Sequence, residues 1–336
     1  MPQKQGNVLL LPSQPSIIAN AAVVGKVEGE GPLAQEFDFC YPSDTINGME
    51  TWEKSESELH RDAVDRAIKK SGVLKKDIDI MFAGDLLNQC IGTTFGIMDF
   101  DIPFAGLFGA CSTMAMALAM AGVFCDSGAA QYAVASASSH FCSAEKQFRF
   151  PLEYGGQRSP TAQRTVTGAG AAVMGAKTNA PFIEAVLFGK VQNYGITDAA
   201  NMGAAMAPAA ASTISDFLRD TNTKPEDYDI ILTGDLGSVG SNLLKELLKT
   251  KHNFDISAIH NDCGLMIFEQ QQDTHAGGSG CGCSASVFNS VILRRLGAGE
   301  LKKVLLVGTG ALMSPTSAQQ KSPIPSVAHA VCVCSD

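Results

Sequence analysis

The sequence predicts an α/β fold in which a strand–helix–strand unit is duplicated and stacked in layers. One observation is a repeat: "DIDIMFAGDL" (77–86) returns as "DYDIILTGDL" (227–236), with Asp, Asp, Ile, Gly, Asp and Leu in register. Another is a series of buried helix, turn and buried strand that occurs twice. "CSTMAMALAMAG" leads through Gly128 into "QYAVASAS", and "CSASVFNSVILRRLGAGE" leads into "KKVLLVGTG". The helices in both copies are apolar on most faces, as expected where layers cover both sides. Strands alternating with helices, twice over, describe a duplicated α/β unit.

Each element has a local reason. "SESELHRDAVDRAIKKSG" (55–72) carries Leu59, Ala63, Ala67 and Ile68 on one helical face. The apolar run that follows has the length of a buried strand and is bounded by Asp and Gly. From Ile102 to Cys125 no residue is charged, a length that raises the question of a membrane span. Pro103, Gly106, Gly109 and the Ala-rich composition favour a helix buried in a protein core instead. "AGAAVMG" (169–175) reads as a strand, and the split between halves falls near 175–180. "MGAAMAPAAASTISD" (202–216) fits either a buried helix or an interface surface, and "STISDFLRDT" is helical.

Composition narrows the function. The chain has 336 residues, 45% apolar and 18% charged, with a formal charge of −9. An acidic surface argues against nucleic acid as a partner, since phosphate contacts need clustered cations. The N-terminus lacks a basic head, apolar run and cleavage site, so a soluble chain without signal peptide or transmembrane segment is expected. Ten cysteines read as thiols. The pairs Cys281/Cys283 and Cys332/Cys334 lack the C-x₂-C spacing of a zinc site, so buried thiols and no metal are expected. "GTGALMS" and "GAGAAVMG" match neither G-x-G-x-x-G nor the Walker pattern, so no cofactor is expected.

A small-residue turn with Cys111 at the head of a buried helix, inside a duplicated α/β pattern, resembles the thiolase superfamily and its type III ketoacyl synthases. More specifically, "GLFGACST", "EKQFRFPLEYGGQRSPTAQRTVTGAG", "DCGLMIFEQQQDTHAGGSGCGCSA" and "IPSVAHAV" resemble the stage V sporulation protein AD family over most of the chain. The resemblance implies a thiolase-like α/β/α/β/α sandwich with halves at 1–176 and 177–336. It also implies a subunit of the SpoVA complex that binds dipicolinic acid (pyridine-2,6-dicarboxylate) and serves its uptake in sporulation and release in germination. Such a subunit would sit peripherally at the forespore or spore inner membrane, held by SpoVA membrane proteins. Whether calcium accompanies the ligand is left open. The superfamily also implies a homodimer, paired through the strand after the nucleophile helix, here "QYAVASAS".

Cys111 stands where the superfamily nucleophile stands, and a helix N-terminus favours thiolate. A thiolate needs imidazole or amide partners to move protons and hold an enolate. Where the resemblance places the first His, "ILTGDLGS" offers Gly234 or Asp235; where it places the second partner, Ser279 or Gly280. His275 and His260 lie near enough in sequence to be considered as replacements. The last Gly-rich turn reads "PIPSVAHAV", and proline has no N–H for an oxyanion hole. Cys111 is therefore expected to be a relic nucleophile lining a pocket, with a Cys-dependent acyltransferase or condensing enzyme as the alternative.

A planar dianion needs fixed cations or N–H donors and a flat apolar wall. Lys146, Arg149, Arg158 and Arg164 face only Glu145 and Glu153 between residues 140 and 164, with Phe148, Phe150 and Tyr154 alongside. Arg149 and Arg158 suit a carboxylate better than Lys146, because the guanidinium binds in two-point fashion. His140, at a strand end, and His329, on the final strand, complete the expected ligand-binding set with Cys111. His60 and His252 are expected at the surface.

Overall fold

A computed structural model of the chain describes residues 1–43, 46–149 and 158–336. The first half contributes β1 (Ser16–Val24), β2 (Ile80–Gly84), β3 (Phe104–Gly106), β4 (Ala133–Ser139) and β5 (Gly168–Gly175). The second contributes β6 (Phe182–Phe188), β7 (Ile230–Thr233), β8 (His260–Asp262), β9 (Lys303–Ala311) and β10 (Ser326–Cys334). In space the order is β3-β2-β4-β5-β1 in one half and β8-β7-β9-β10-β6 in the other. The second order repeats the first, strand for strand. The parallel and antiparallel pairings repeat as well. Among the described residues, the two sets of strands join at the ends of β1 and β6, where Ser16 pairs with Phe182.

Alternation along the strands builds the layers. On β9, Val304 and Leu306 face the space between the sheets while Leu305 and Val307 face outward. On β5, Ala172 and Met174 face inward while Ala169, Ala171 and Val173 face outward. Side chains of a strand point to opposite faces in turn, so a strand apolar throughout must be covered twice.

Outside the first sheet lies α1 (Trp52–Ser71), started by Thr51, which accepts from the Lys54 N–H, and stopped by left-handed Gly72. Leu59, Ala63, Ala67 and Ile68, its expected apolar face, are buried against that sheet. Outside the second sheet lies α4 (Met202–Thr221), so the "MGAAMAPAAASTISD" stretch is a buried helix. Between the sheets run α2 (Thr113–Ser127) and α6 (Cys281–Val287), the latter continuing through a π turn at Phe288–Ile292. The result is an α/β/α/β/α sandwich.

The charge-free segment belongs to this middle layer. Ala110–Ser127 is long and apolar enough to cross a membrane, but 67% of it is buried inside the protein. Leu118, Met114 and Ala115 on α2 share one apolar cluster with Ala135 on β4 and Val331 on β10, so the helix contacts both sheets.

Two expectations are corrected here. His60 is fully buried, its ring nitrogens 2.9 Å from Ser138 Oγ and 2.8 Å from Ser136 Oγ; burial lowers its pKa to about 3, so it is neutral. The Glu- and Arg-rich sequence around it hides that its own helical face turns toward β4. The strand within "QYAVASAS", β4, is bonded on one side to β2 and on the other to β5, so it offers no edge to a second copy. The outermost strand of that sheet is β3. His252 is half-buried and bonded to Ser215 Oγ at 3.0 Å.

Phe288 fills the middle layer with no exposure. Phe288→Ala is expected to cost about 3–5 kcal/mol, read as a lower urea midpoint at unchanged m-value.

Candidate functional site

The site forms where the heads of the two middle helices meet the strand ends. Ala110 holds a left-handed backbone (φ 50°) directly before Cys111, a conformation costing about 1–2 kcal/mol in a non-glycine residue. Hydroxyls hold the turn: Ser112 Oγ donates to Gly109 O at 2.6 Å and Thr113 Oγ1 donates to Ala110 O at 2.7 Å. Glycine on β9 lets the turn seat. A Cβ at Gly310 would lie 2.2 Å from the Gly109 carbonyl. Cys111 is buried, at 5% exposure.

Asp235 occupies the place opposite the thiol. Its carboxylate accepts from Thr309 Oγ1 at 2.7 Å, Gly280 N–H at 2.8 Å and Ser279 Oγ at 3.2 Å. The Cys111 thiol stands against the same carboxylate. Both residues offered by the sequence in the second partner position therefore serve Asp235. Burial raises the Asp235 pKa against these interactions. Burial also pushes the Cys111 thiol well above its ordinary value, and the Asp235 charge and hydrogen bond push it further. A carboxylate disfavours the thiolate that an imidazolium would stabilise. The sulfur is held as a thiol.

Neither considered histidine reaches it. His260 Nε2 lies 2.9 Å from Thr233 Oγ1, in a cluster where Thr233 donates to Asp262 at 2.6 Å. His275 lies 3.7 Å from Asp273 Oδ1.

A narrow pocket of about 50 Å³ opens over Cys111, walled by Leu86, Phe108, Phe148, Met202, Ser279 and Met313 among others. Among the described residues none of its lining side chains is cationic. The reason is helical phase. From α3 (Phe141–Glu145) the chain continues in a turn to Arg149, with Arg149 N–H bonded to Glu145 O at 2.8 Å. Ala144, Gln147 and Phe148 line the pocket. Phe141, Glu145 and Arg149 form a separate group on another face.

That group is a basic cluster. Arg149 pairs with buried Glu145 at 2.6 Å, and both Arg149 and Arg164 lie over the Phe141 ring, at 5.4 and 4.0 Å. Arg158 donates to Asp273 O at 2.7 Å. Its pKa is lowered by burial and then, after a raising effect of Glu145, by the charges of Arg164 and Arg149. Three guanidiniums thus crowd one carboxylate. Arg149 Nε and Arg158 Nη1 are buried without a hydrogen-bond partner.

The other expected residues are used differently. Lys146 pairs with Glu53 and lies 5.4 Å from the Trp52 ring centre. His140 caps α3, its Nδ1 accepting from Cys142 N–H at 3.1 Å. His329 Nδ1 accepts from Gly189 N–H at 3.2 Å, and burial lowers its pKa to about 4. Phe150, Glu153 and Tyr154 lie outside the described residues. Of the expected set only Cys111 lines the pocket. Sequence reasoning missed Thr309 and the wall at Ala311, Met313, Ser314 and Pro315. It also missed the role of Glu145, one of two acids among four cations in that stretch.

Comparison with known proteins agrees with this architecture. The sequence model described as Stage V sporulation protein AD matches residues 5–334. The Bacillus subtilis (strain 168) stage V sporulation protein AD is 46% identical over 317 residues, covering 94% of this chain and 93% of that one. This chain belongs to the stage V sporulation protein AD family. Solved structures share the fold at low identity. The Aquifex aeolicus 3-oxoacyl-[acyl-carrier-protein] synthase III aligns with a TM-score of 0.57 at 14% identity, covering 95% of this chain and 99% of that one. Cerulenin-bound OleA of Xanthomonas campestris aligns with a TM-score of 0.60 at 12% identity, covering 99% of both. The family member described here thus has a thiolase-like fold.

Asp235→Asn removes the charge that helps keep Cys111 protonated. The thiol pKa is expected to fall and alkylation by iodoacetamide at pH 8 to speed up, about tenfold for each unit of fall while the thiol predominates. An unchanged rate in a folded variant contradicts this account of the site.

Proposed function

We propose that this protein is a non-catalytic dipicolinate-binding subunit of the SpoVA complex. In this reading it serves dipicolinate uptake in sporulation and release in germination, and is held at the forespore or spore inner membrane by SpoVA membrane proteins. Family membership supports the sporulation setting. The observation that carries the binding reading is the basic cluster: three guanidiniums around Glu145, two with buried N–H groups left over. Planar, always-charged guanidiniums match the two carboxylates of a flat dianion. The Cys111 pocket offers no such charge, so the carboxylates are assigned to Arg149 and Arg158. The Cys111–Asp235 pairing, which disfavours the thiolate, supports the non-catalytic part of the reading.

Titration calorimetry tests the binding. Arg158→Gln and Arg149→Gln are each expected to weaken dipicolinate binding about 10–100-fold, the worth of a charged hydrogen bond of about 1.5–3 kcal/mol. Lys302→Gln, at an exposed position, leaves it unchanged. No heat and no thermal shift with dipicolinate would overturn the reading.

A second reading is a Cys-dependent acyltransferase, favoured by one observation: Cys111 retains the left-handed turn and helix head of a nucleophile. Incubation with acyl-CoA followed by intact-mass measurement separates the two. The binder stays unmodified, whereas an acyl adduct on Cys111 establishes the acyltransferase.

A further inference from the structure

We propose that Glu184, Cys332 and Cys334 form a zinc site on the outer face of the second sheet. The three side chains place two sulfurs and a carboxylate oxygen within 4.8 Å of one another. Cys332 Sγ lies 3.4 Å from Glu184 Oε2. Four-coordinate zinc takes sulfur at about 2.3 Å and carboxylate oxygen at about 2.0–2.2 Å. Donors already this close need only small side-chain rotations to close on one ion.

The backbone explains how C-x-C spacing serves here. Cys332 and Cys334 are two residues apart on a strand, so their side chains leave the same face, together with Ala328 and Ala330. The third donor comes from the neighbouring strand. The register between β6 and β10 shifts between Ile183 and Ala185, so Glu184 is an extra residue opposite the Cys332–Val333 step. Bulges of this kind re-aim a side chain. This one brings the Glu184 carboxylate to the cysteine pair.

Access and charge also fit. Glu184 and Lys303 border an open cavity of about 410 Å³ that is also walled by Gln3, Gln5, Leu10 and Tyr228. Water from that cavity would complete the coordination. Lys303, paired in register with Cys334 on β9, sits 2.6 Å from Glu184 Oε2. Two thiolates and one carboxylate exceed the charge of a zinc ion by one, and Lys303 supplies the balancing cation. A hydrogen-bonded partner behind a ligating carboxylate is the usual support for a bound metal. Paired thiolates select zinc over magnesium or calcium, which prefer oxygen throughout. On binding, each thiol releases its proton to solvent, two per ion, and both sulfur–metal bonds form without any change of oxidation state.

Cobalt(II) titration of the full chain tests the site directly. The expected result is one ion per chain, with a thiolate-to-cobalt charge-transfer band and tetrahedral d–d bands, both lost on adding zinc. Cys332→Ser and Cys334→Ser are expected to abolish the charge-transfer band, while Cys125→Ser, on α2, leaves it intact. Glu184→Gln covers the case in which a cysteine variant fails to fold, because its side chain is 41% exposed. It should weaken cobalt binding by about tenfold or more. Zinc should also protect Cys332 and Cys334 from alkylation in the unaltered chain. Absence of the charge-transfer band, or a band unchanged in folded Cys332→Ser or Glu184→Gln protein, overturns the proposal.

Discussion

The buried carboxylate of Asp235 sets the architecture of the site. A carboxylate with no access to water must be surrounded by donors or lose its charge. Three parts of the chain converge on it: Thr309 on β9 and Ser279 with Gly280 before α6 donate to it, and Cys111 before α2 stands against it. Satisfying one side chain therefore fixes the head of each middle helix against the second sheet. The same carboxylate favours the thiol form of Cys111 over the thiolate.

The duplicated fold repeats the device with different partners. Asp85 stands in the first half where Asp235 stands in the second, in the aligned "GDL" of the two repeats. It too is fully buried, accepting from Leu87 N–H at 2.7 Å and from both donors of Thr93 at 2.6 Å. Nearby Glu56 has its pKa raised well above the usual carboxylate value by burial and by the Asp85 charge. Asp85 draws its donors from its own half, whereas Asp235 also reaches across to Cys111 in the other. That crossing ties the two halves together at the Cys111 turn.

The fold was legible because the repeat and the apolar patterns are local facts. Leu59, Ala63, Ala67 and Ile68 form a stripe in sequence and a buried face in space. At the place where the resemblance puts a His, the sequence left Gly234 or Asp235 open, and the structure sets Asp235 against Cys111. What sequence could not resolve was phase and distance. Lys146, Arg149 and Phe148 are neighbours in the chain, yet one pairs with Glu53, one with Glu145, and one walls the pocket. His60 looks exposed amid charged residues because a helix has two faces and the sequence prints them interleaved. Glu184 joins the cysteine pair only through a register shift between strands, which no spacing within one segment records.

The fold is shared with condensing enzymes, and the chemistry at its centre turns on what stands beside Cys111. Condensation needs a thiolate, and a thiolate needs a cationic or donor-rich neighbour. With an acidic neighbour the thiol form of the sulfur is favoured over the thiolate. The "EKQFRFPLEYGGQRSPTAQR" segment is where this chain concentrates its cations, and its arginines meet at Phe141 and Glu145, on a different face of the turn from the one that walls the pocket. The basic cluster and the Cys111 pocket are thus built from the same short stretch of chain but on separate faces of it.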